Sequence, residues 1–360
     1  MMRFLFCFVC MLVLGAAHAQ TPDWQQDYRK VDVAEGVVSF IANDSPGGVV
    51  QGNVTVISGK RHSLVVDSGQ YPGLARRMIE EIRASGVAPV RYLVNTHWHG
   101  DHLMSNFVFQ EAYPQLTVIQ HAETARMGVK TYADWATKQM DDLKAYPARL
   151  DKAAATGKTS KGVVLTEDQR ESFRVDSVLL RQWLATSSDT RWDAPDETIT
   201  ETATLDLGGR SVTVRHFGKA NTTGDLVVWD ANTKTLVAGD VVVAPTPYSF
   251  GSYHSEWIEV LAAMRALEPA RIVPGHGEVM SDDSYLKQLS ALLAETRTQV
   301  RKAVADGRTL EQMQKEITLP DFEKQFAGGD PARIRAFRGF YLEPGIPQAY
   351  KEAKGEPRSE

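Results

Sequence analysis

The sequence predicts a layered α/β protein. Three observations support this fold class: β-branched runs separated by Gly, Asn and Asp turns between residues 31 and 67, helical periodicity from Pro72 to Ala84, and a return to strand patterning at Val90–Val94. Strands that alternate with helices pack as sheets covered by helical layers. The chain has 360 residues, of which 43% are hydrophobic and 24% charged, so it can bury a large core.

The remaining elements follow in order along one predicted domain, residues 20–360. Early strands at 37–41, 53–57 and 63–66 precede the helix, and strands at 90–94 and 116–119 follow it. The segment of about 122–190 is rich in Ala, Lys, Arg, Asp and Gln, and it predicts two helices inserted into the core. Later strands are expected at 199–207, 211–217, 226–229, 235–238 and 271–273, before a helical C-terminal segment of about 281–360.

The first 19 residues have the pattern of a secretory signal peptide. Arg3 precedes an apolar stretch from Phe4 to Ala17, and Ala17-His18-Ala19 is a small-residue cleavage motif. We therefore predict a periplasmic or secreted protein, with a retained N-terminal anchor as the alternative. Cleavage would remove both cysteines, Cys7 and Cys10, and leave no thiol to act as a nucleophile or a metal ligand. No other segment approaches the length of a membrane span.

Charge and composition narrow the choice of partners. The net charge is −5 at pH 7 and basic residues are not clustered, which is atypical of a nucleic-acid-binding protein. The expected partner is a small-molecule substrate. Because the insert of about 122–190 lies between core strands, we expect it either to cover the active site or to form the contact of a homodimer.

Candidate metal ligands are concentrated directly after the strand at 90–94. His97, His99 and His102 fall within six residues, with Asp101 among them. Alternate residues of an extended chain point the same way, so His97 and His99 can share a metal, and Gly100 permits the turn that brings Asp101 and His102 to an adjacent point. Imidazole and carboxylate together are a zinc-type ligand set. A solvated polar loop explains one or two histidines, but not this density.

Four motifs resemble those of the metallo-β-lactamase superfamily, and they occur in the order typical of that family. In chain order they are Val65-Val66-Asp67-Ser68-Gly69, Thr96–His102, Gly239-Asp240 and Pro274-Gly275-His276-Gly277. The resemblance implies a four-layered αββα sandwich with a helical insertion and with metals at one edge, between two sheets. It also implies that a metal-bound hydroxide performs hydrolysis, with one or two zinc ions as the cofactor.

By this resemblance, the metal ligands are His97, His99, Asp101, His102, Asp240 and His276. Members of the family usually have a histidine at the position that Asn221 occupies here, so the metal at His97 and His99 would lose its third protein ligand. An amide oxygen is a weaker zinc ligand than imidazole. We therefore expect the His97 and His99 position to bind weakly and the other position to fill first.

Two residues are expected to act on the substrate and five to support the site. The resemblance implies that Asp101 shuttles a proton, and that either the other metal or Asn221 polarises the carbonyl oxygen. Asp67 is expected to accept a hydrogen bond from a ligand histidine. Further candidates for contact with the metal or the substrate are His216, Tyr248, Tyr253 and His254, each of which has ordinary packing as its alternative role.

The predicted function is that of an exported metal-dependent hydrolase acting on a small ester, lactone or amide. Asp240 argues against a dedicated β-lactamase, because those enzymes typically lack an Asp bridge, but β-lactam cleavage stays open as a side activity. The alternative within the enzymes is hydrolysis of a thioester or another sulfur compound, of the glyoxalase II type. A non-catalytic metal-binding protein is the alternative outside the enzymes, and Asn221 is the only residue that suggests it.

Overall fold

The computed structural model describes residues 25–43, 50–134, 140–186 and 190–357. The predicted signal peptide at residues 1–19 lies outside this part of the chain. Within the part described, no helix combines the length and the apolar character that crossing a bilayer requires.

A seven-stranded sheet forms the first half of the molecule, and its strands lie side by side in chain order. They are β1 (Tyr28–Ala34), β2 (Val37–Ala42), β3 (Val54–Ser58), β4 (Ser63–Val66), β5 (Val90–Val94), β6 (Thr117–His121) and β7 (Glu197–Ile199). The first four strands pair antiparallel, and β4 to β7 pair parallel. Strands β4 and β6 are buried along their whole length, as expected for parallel strands covered on both faces.

A five-stranded sheet forms the second half, in the order β12-β11-β10-β9-β8. Its strands are β8 (Thr202–Asp206), β9 (Ser211–Arg215), β10 (Val227–Asp230), β11 (Thr235–Val243) and β12 (Arg271–His276). Only β11 and β12 pair parallel, so their carboxyl ends reach the same edge of this sheet. All nine residues of β11 are buried, which places this strand at the centre of the fold.

Helices cover the outer faces of both sheets. Between β4 and β7 they are α1 (Pro72–Ala84), α2 (Gly100–Leu103), α3 (Asn106–Ala112), α4 (Ala122–Asp134), α5 (Met140–Thr156) and α6 (Glu167–Thr186). On the second sheet they are α7 (His254–Arg265), α8 (Ser284–Ala305), α9 (Leu310–Glu316), α10 (Pro320–Ala327), α11 (Pro331–Ala336) and α12 (Glu343–Lys354), with a π-helical turn, Phe337–Leu342, before α12. In the described part of the insert there are three helices, α4, α5 and α6, rather than the two predicted, and α4 starts immediately after β6.

Three buried apolar clusters show how the layers stack. The cluster between the sheets joins residues such as Val37, Leu64 and Val66 to Val214, Val228 and Val237. A second cluster packs α1, α3 and Trp183 of α6 against the first sheet, and the third packs α7, α8 and the C-terminal helices against the second sheet. Each sheet is thus buried on both faces. The predicted four-layered αββα sandwich is confirmed.

Candidate metal centre

The histidine-rich segment is fixed at the end of β5 by backbone hydrogen bonds from three other parts of the chain. The Leu226 N–H donates to the Thr96 carbonyl at 2.7 Å, the Ser68 N–H to the His102 carbonyl at 2.8 Å, and the Gly52 N–H to the Asp101 carbonyl at 3.2 Å. Short helix α2 then carries Asp101 and His102 inward. These anchors connect the segment to both sheets, so its side chains have defined directions.

The parallel pair β11 and β12 brings Asp240 and His276 to the same edge. Their approach depends on Gly275: a Cβ atom at that position would lie 2.0 Å from Asp240 Oδ1. Gly52 has the same role on the other side, where a Cβ would lie 2.7 Å from Cε1 of His102. Any larger residue at either position would displace a candidate ligand. Gly52 was not predicted, because it lies outside the recognised motifs.

Four donor atoms converge at this edge, and we call them the four-donor site: Asp101 Oδ2, His102 Nε2, Asp240 Oδ1 and His276 Nε2. His102 Nε2 lies 3.5, 3.2 and 3.2 Å from the atoms of Asp101, Asp240 and His276, and His276 Nε2 lies 3.0 and 3.5 Å from those of Asp101 and Asp240. Ligands at zinc distances in a tetrahedron are about 3.3 Å apart. Three of the four donor atoms, on Asp101, His102 and His276, lie within 4.8 Å of one another and could hold one zinc ion with a fourth position left open.

A second group, which we call the His97 site, comprises His97 and His99 beside the other carboxylate oxygen of Asp240, and the family resemblance adds Asn221 to it. His97 Nε2 lies 3.6 Å from Asp240 Oδ2, and the His97 and His99 ring centroids are 4.5 Å apart. Among the described residues, His97 Nε2 and both amide atoms of the fully buried Asn221 have no hydrogen-bond partner. Such buried polar atoms are costly unless something binds them. This group has fewer strong donors than the four-donor site.

Asp67 orients two of the candidate ligands. It has a left-handed backbone, with φ of 62°, and its carboxylate accepts the Thr96 N–H at 2.7 Å and the Thr96 hydroxyl at 2.8 Å. The hydroxyl in turn accepts from Nδ1 of His97 at 3.0 Å, and Asp67 accepts directly from Nδ1 of His102 at 2.8 Å. With both Nδ1 atoms donating, both Nε2 atoms keep a lone pair for a metal. The structure thus places Asp67 where the sequence analysis expected it.

The pKa values of the histidines are shifted in opposite directions on the two sides of the centre. Burial lowers the pKa of His102, but the carboxylates of Asp240 and Asp101 outweigh burial and raise it well above the usual value; the pKa of His276 is raised for the same reason. In contrast, burial and the neighbouring imidazoles lower the pKa of His97 well below its usual value. In the absence of a cation, the four-donor site therefore holds protons that a metal would have to displace.

A narrow pocket of about 80 Å³ opens onto the centre. Its lining residues are Val50, His99, Asp101, Asp240, Tyr248, Phe250 and Phe340. Tyr248 also lies against the imidazole of His276, with 5.5 Å between ring centroids. Val50 and Phe340 were not predicted, because neither belongs to a motif. None of the described residues of the 122–190 insert lines this pocket.

Three other predicted residues lie outside the lining of this pocket. The His254 ring is fully buried and stacks on Tyr341 at 6.3 Å, and Tyr253 is buried with the Lys219 ammonium 5.2 Å from its ring. His216 lies 4.3 Å from the ring of His121, and its Nδ1 donates to the Asp225 carbonyl at 2.9 Å. Among the described residues, the pocket lining includes none of these three. Proximity in sequence to a strand end did not fix the direction of their side chains.

The family is decided by a match that covers most of the domain. The family model described as "Metallo-beta-lactamase superfamily" matches residues 47–276, which contain all the donors above. The chain belongs to this superfamily. Its members are hydrolases, and the fold usually binds zinc. The predicted family is therefore confirmed, and the His and Asp clusters of this chain are candidate metal-binding groups of a fold of that kind.

Two curated relatives have different names. One is a "Linear primary-alkylsulfatase" of Pseudomonas sp. (strain ATCC 19151), 22% identical over 272 residues, or 71% of this chain and 48% of the relative. The other is an "Atrochrysone carboxyl ACP thioesterase" of Aspergillus fumigatus, 29% identical over 119 residues, or 32% of this chain and 28% of the relative. The matches thus span about half, or less, of the length of these proteins.

Similar solved structures agree on the fold. The metallo-beta-lactamase from Pontibacter korlensis is 18% identical, with a TM-score of 0.51, covering 75% of this chain and 99% of that one. The sec-alkylsulfatase Pisa1 from Pseudomonas sp. is 12% identical, with a TM-score of 0.61, covering 90% of this chain and 50% of that one. At such identities the likeness extends to the fold alone.

Proposed function

We propose that this protein is a metal-dependent hydrolase that cleaves a small ester, lactone or amide, with zinc in the four-donor site. The observation that carries the proposal is the set of three separations of 3.0–3.5 Å among the donors of Asp101, His102 and His276, each close to the edge of a zinc tetrahedron whose fourth position would be open to water. The chemistry that such an ion supplies when bound is activation of water near pH 7.

The remaining roles in catalysis are assigned to side chains of this protein. Asp101 lines the pocket and has the most exposed side chain of the four donors, at 16%, so we assign it to hold the proton that is transferred to the leaving group. Polarisation of the carbonyl oxygen of the substrate is assigned either to a second metal at the His97 site or to Nδ2 of Asn221, whose amide atoms are buried and have no hydrogen-bond partner among the described residues. Asp67 and Thr96 would keep the imidazoles of His97 and His102 in their ligand tautomer.

Thioester hydrolysis is the second candidate. The match to a thioesterase supports it, although that match covers only 32% of this chain. A thioester has the same acyl carbon as an ester, so the residue roles above would not change. The match to an alkylsulfatase likewise adds a sulfate ester to the compounds that a test should contain.

The test combines metal content with turnover. Purified protein is stripped with a chelator, reloaded with one and then two equivalents of zinc, and assayed against an ester, a lactone, an amide, a thioester, an alkyl sulfate and a β-lactam. We expect activity to return with zinc and to be absent from His276→Ala. Activity that survives chelation, or a zinc-loaded protein inactive on the whole panel, would contradict the proposal, and the second result would favour a non-catalytic metal-binding protein.

Export is a separate part of the proposal. It is supported by the signal-peptide pattern at residues 1–19. Mass spectrometry of the protein from a periplasmic extract should give a chain that begins at Gln20. A full-length chain in the membrane fraction would instead favour an uncleaved anchor.

A further inference from the structure

The π-helical turn Phe337–Leu342 reaches the metal centre from the C-terminal segment. The Ser249 N–H donates to the Phe340 carbonyl at 2.8 Å, and the Ser249 hydroxyl donates to the Tyr341 carbonyl at 2.7 Å. These bonds fasten the turn to the loop between β11 and α7. Departures of this kind from α-helical geometry frequently occur at functional sites. Here the turn places Phe340 in the pocket wall.

Three aromatic rings form one side of the pocket, and we call Tyr248, Phe250 and Phe340 the aromatic wall. The Phe340 ring meets Tyr248 edge-on at 5.1 Å and Phe250 at 5.7 Å, both typical of attractive aromatic pairs. The Phe250 backbone is held by the Gln348 side-chain amide, which donates to its carbonyl at 3.1 Å. Phe250 nevertheless remains 45% exposed, so the wall extends from the metal donors to the pocket mouth.

Charge in the pocket favours a neutral ligand. Of the described residues that line it, none is Lys or Arg, and the charged ones are the carboxylates Asp101 and Asp240. The segment 44–49, next to Val50, contains no basic residue either. With the reacting carbonyl at the zinc ion, a carboxylate at the far end of the acyl group would lie against the aromatic wall, where it would lose its water without gaining a cationic side chain, which is unfavourable. The pocket volume of about 80 Å³ is also small.

We propose that Phe340 is a specificity-determining residue, and that the aromatic wall selects a small uncharged acyl group over one of the same length that ends in a carboxylate. A cavity of about 150 Å³ holds benzene, so this smaller pocket suits a short acyl group. This inference rests on the proposed function, because the four-donor site is taken to hold the reacting carbonyl beside the wall.

Binding of two matched hydroxamates tests the inference without any need for turnover. Zinc-loaded protein is titrated calorimetrically with butanoyl hydroxamate and with succinyl monohydroxamate, which share the zinc-binding group and the chain length. We expect the neutral compound to bind at least about tenfold more tightly. In Phe340→Ala this ratio should fall below about threefold. Phe340→Leu, which keeps an apolar side chain, should retain most of it.

Phe322→Ala is the control, because Phe322 is a partly buried phenylalanine of the same C-terminal segment that does not line the pocket. It should keep the wild-type ratio. Equal binding of the two hydroxamates, a preference for the charged one, no binding of either, or an unchanged ratio in Phe340→Ala would each overturn the inference. A protein that shows the expected ratio but hydrolyses nothing would leave the wall intact and contradict only the proposed function.

Discussion

The two halves of the metal centre are built from the same few segments, yet they differ in donors and in charge. The four-donor site has two carboxylates and two imidazoles with five mutual separations of 3.0–3.5 Å. The His97 site has two imidazoles and one oxygen of the shared Asp240, and the family resemblance adds the neutral amide of Asn221. Carboxylates raise the pKa of the histidines in the first, whereas burial lowers it in the second. Zinc affinity should therefore be unequal.

The largest expected effect comes from removing a donor. His276→Ala should weaken binding of the first zinc ion by more than about 100-fold, beyond the loss typical of an outer-shell partner. His99→Ala should weaken only the second ion. Calorimetric titration measures both, with His62→Ala as a control, since His62 lies in the turn between β3 and β4. If His99→Ala has the larger effect on the first ion, the order of filling is the reverse of ours.

Removing the shared orienting group should have an intermediate effect. The Thr96 hydroxyl and the His102 imidazole share one acceptor, Oδ2 of Asp67, so Asp67→Asn with its amide nitrogen in that place deprives both of it, and we expect zinc affinity to fall by about 10–100-fold. Asp230→Asn is the matched control: Asp230 is a buried carboxylate in β10 that accepts from Asn232 and Thr233. Equal zinc affinity in the two variants would show that Asp67 does not orient the ligands.

Adding a donor should reduce the difference in zinc affinity between the two halves of the metal centre. Asn221→His supplies an imidazole to the His97 site and should tighten the second zinc ion by about tenfold, or roughly 1.4 kcal/mol. Asn232→His, in the exposed turn between β10 and β11, provides the control. Competition titrations of the variant and the control with a zinc-binding dye measure the affinity for the second ion. An unchanged second affinity would mean that the side chain at position 221 does not face the ion.

The smallest expected effect is on the stability of the zinc-free protein. The raised pKa of His102 and His276 adds stability that is fully present below pH 6.5, the unfolded value, and is lost as the pH rises through the folded value. The lowered pKa of His97 and His99 adds stability that is present above pH 6.5 and is lost as the pH falls through the folded value. The two halves therefore change the stability of the protein in opposite directions as the pH rises.

Thermal unfolding of chelated protein at pH 6.5 and pH 9 isolates the first half. The midpoint should be lower at pH 9, by about 2–4 °C for each kcal/mol lost. Chelated His276→Gln should show a smaller fall, because it lacks one of the two groups. A midpoint that rises with pH in the wild type but not in this variant would contradict the sign of the raised pKa values.

Much of the centre was predictable because its parts are local. His97, His99, Asp101 and His102 are positioned by one strand end and one turn, and residue spacing encodes both. The layered fold was predictable for a similar reason, since strand and helix periodicities are properties of short segments. The third insert helix was missed because α4 follows β6 with no turn residues to mark the boundary.

The directions of isolated side chains and the contacts between distant segments could not be predicted from the sequence. His216 and His254 looked like candidates for contact, but packing turned His216 towards His121 and His254 towards Tyr341. Phe340 gave no signal at all, although it lines the pocket. The chemical identity of the donors follows from short motifs of neighbouring residues. The shape of the pocket depends on the packing of the C-terminal helices against the second sheet, because that packing brings residues that are far apart in the chain into contact.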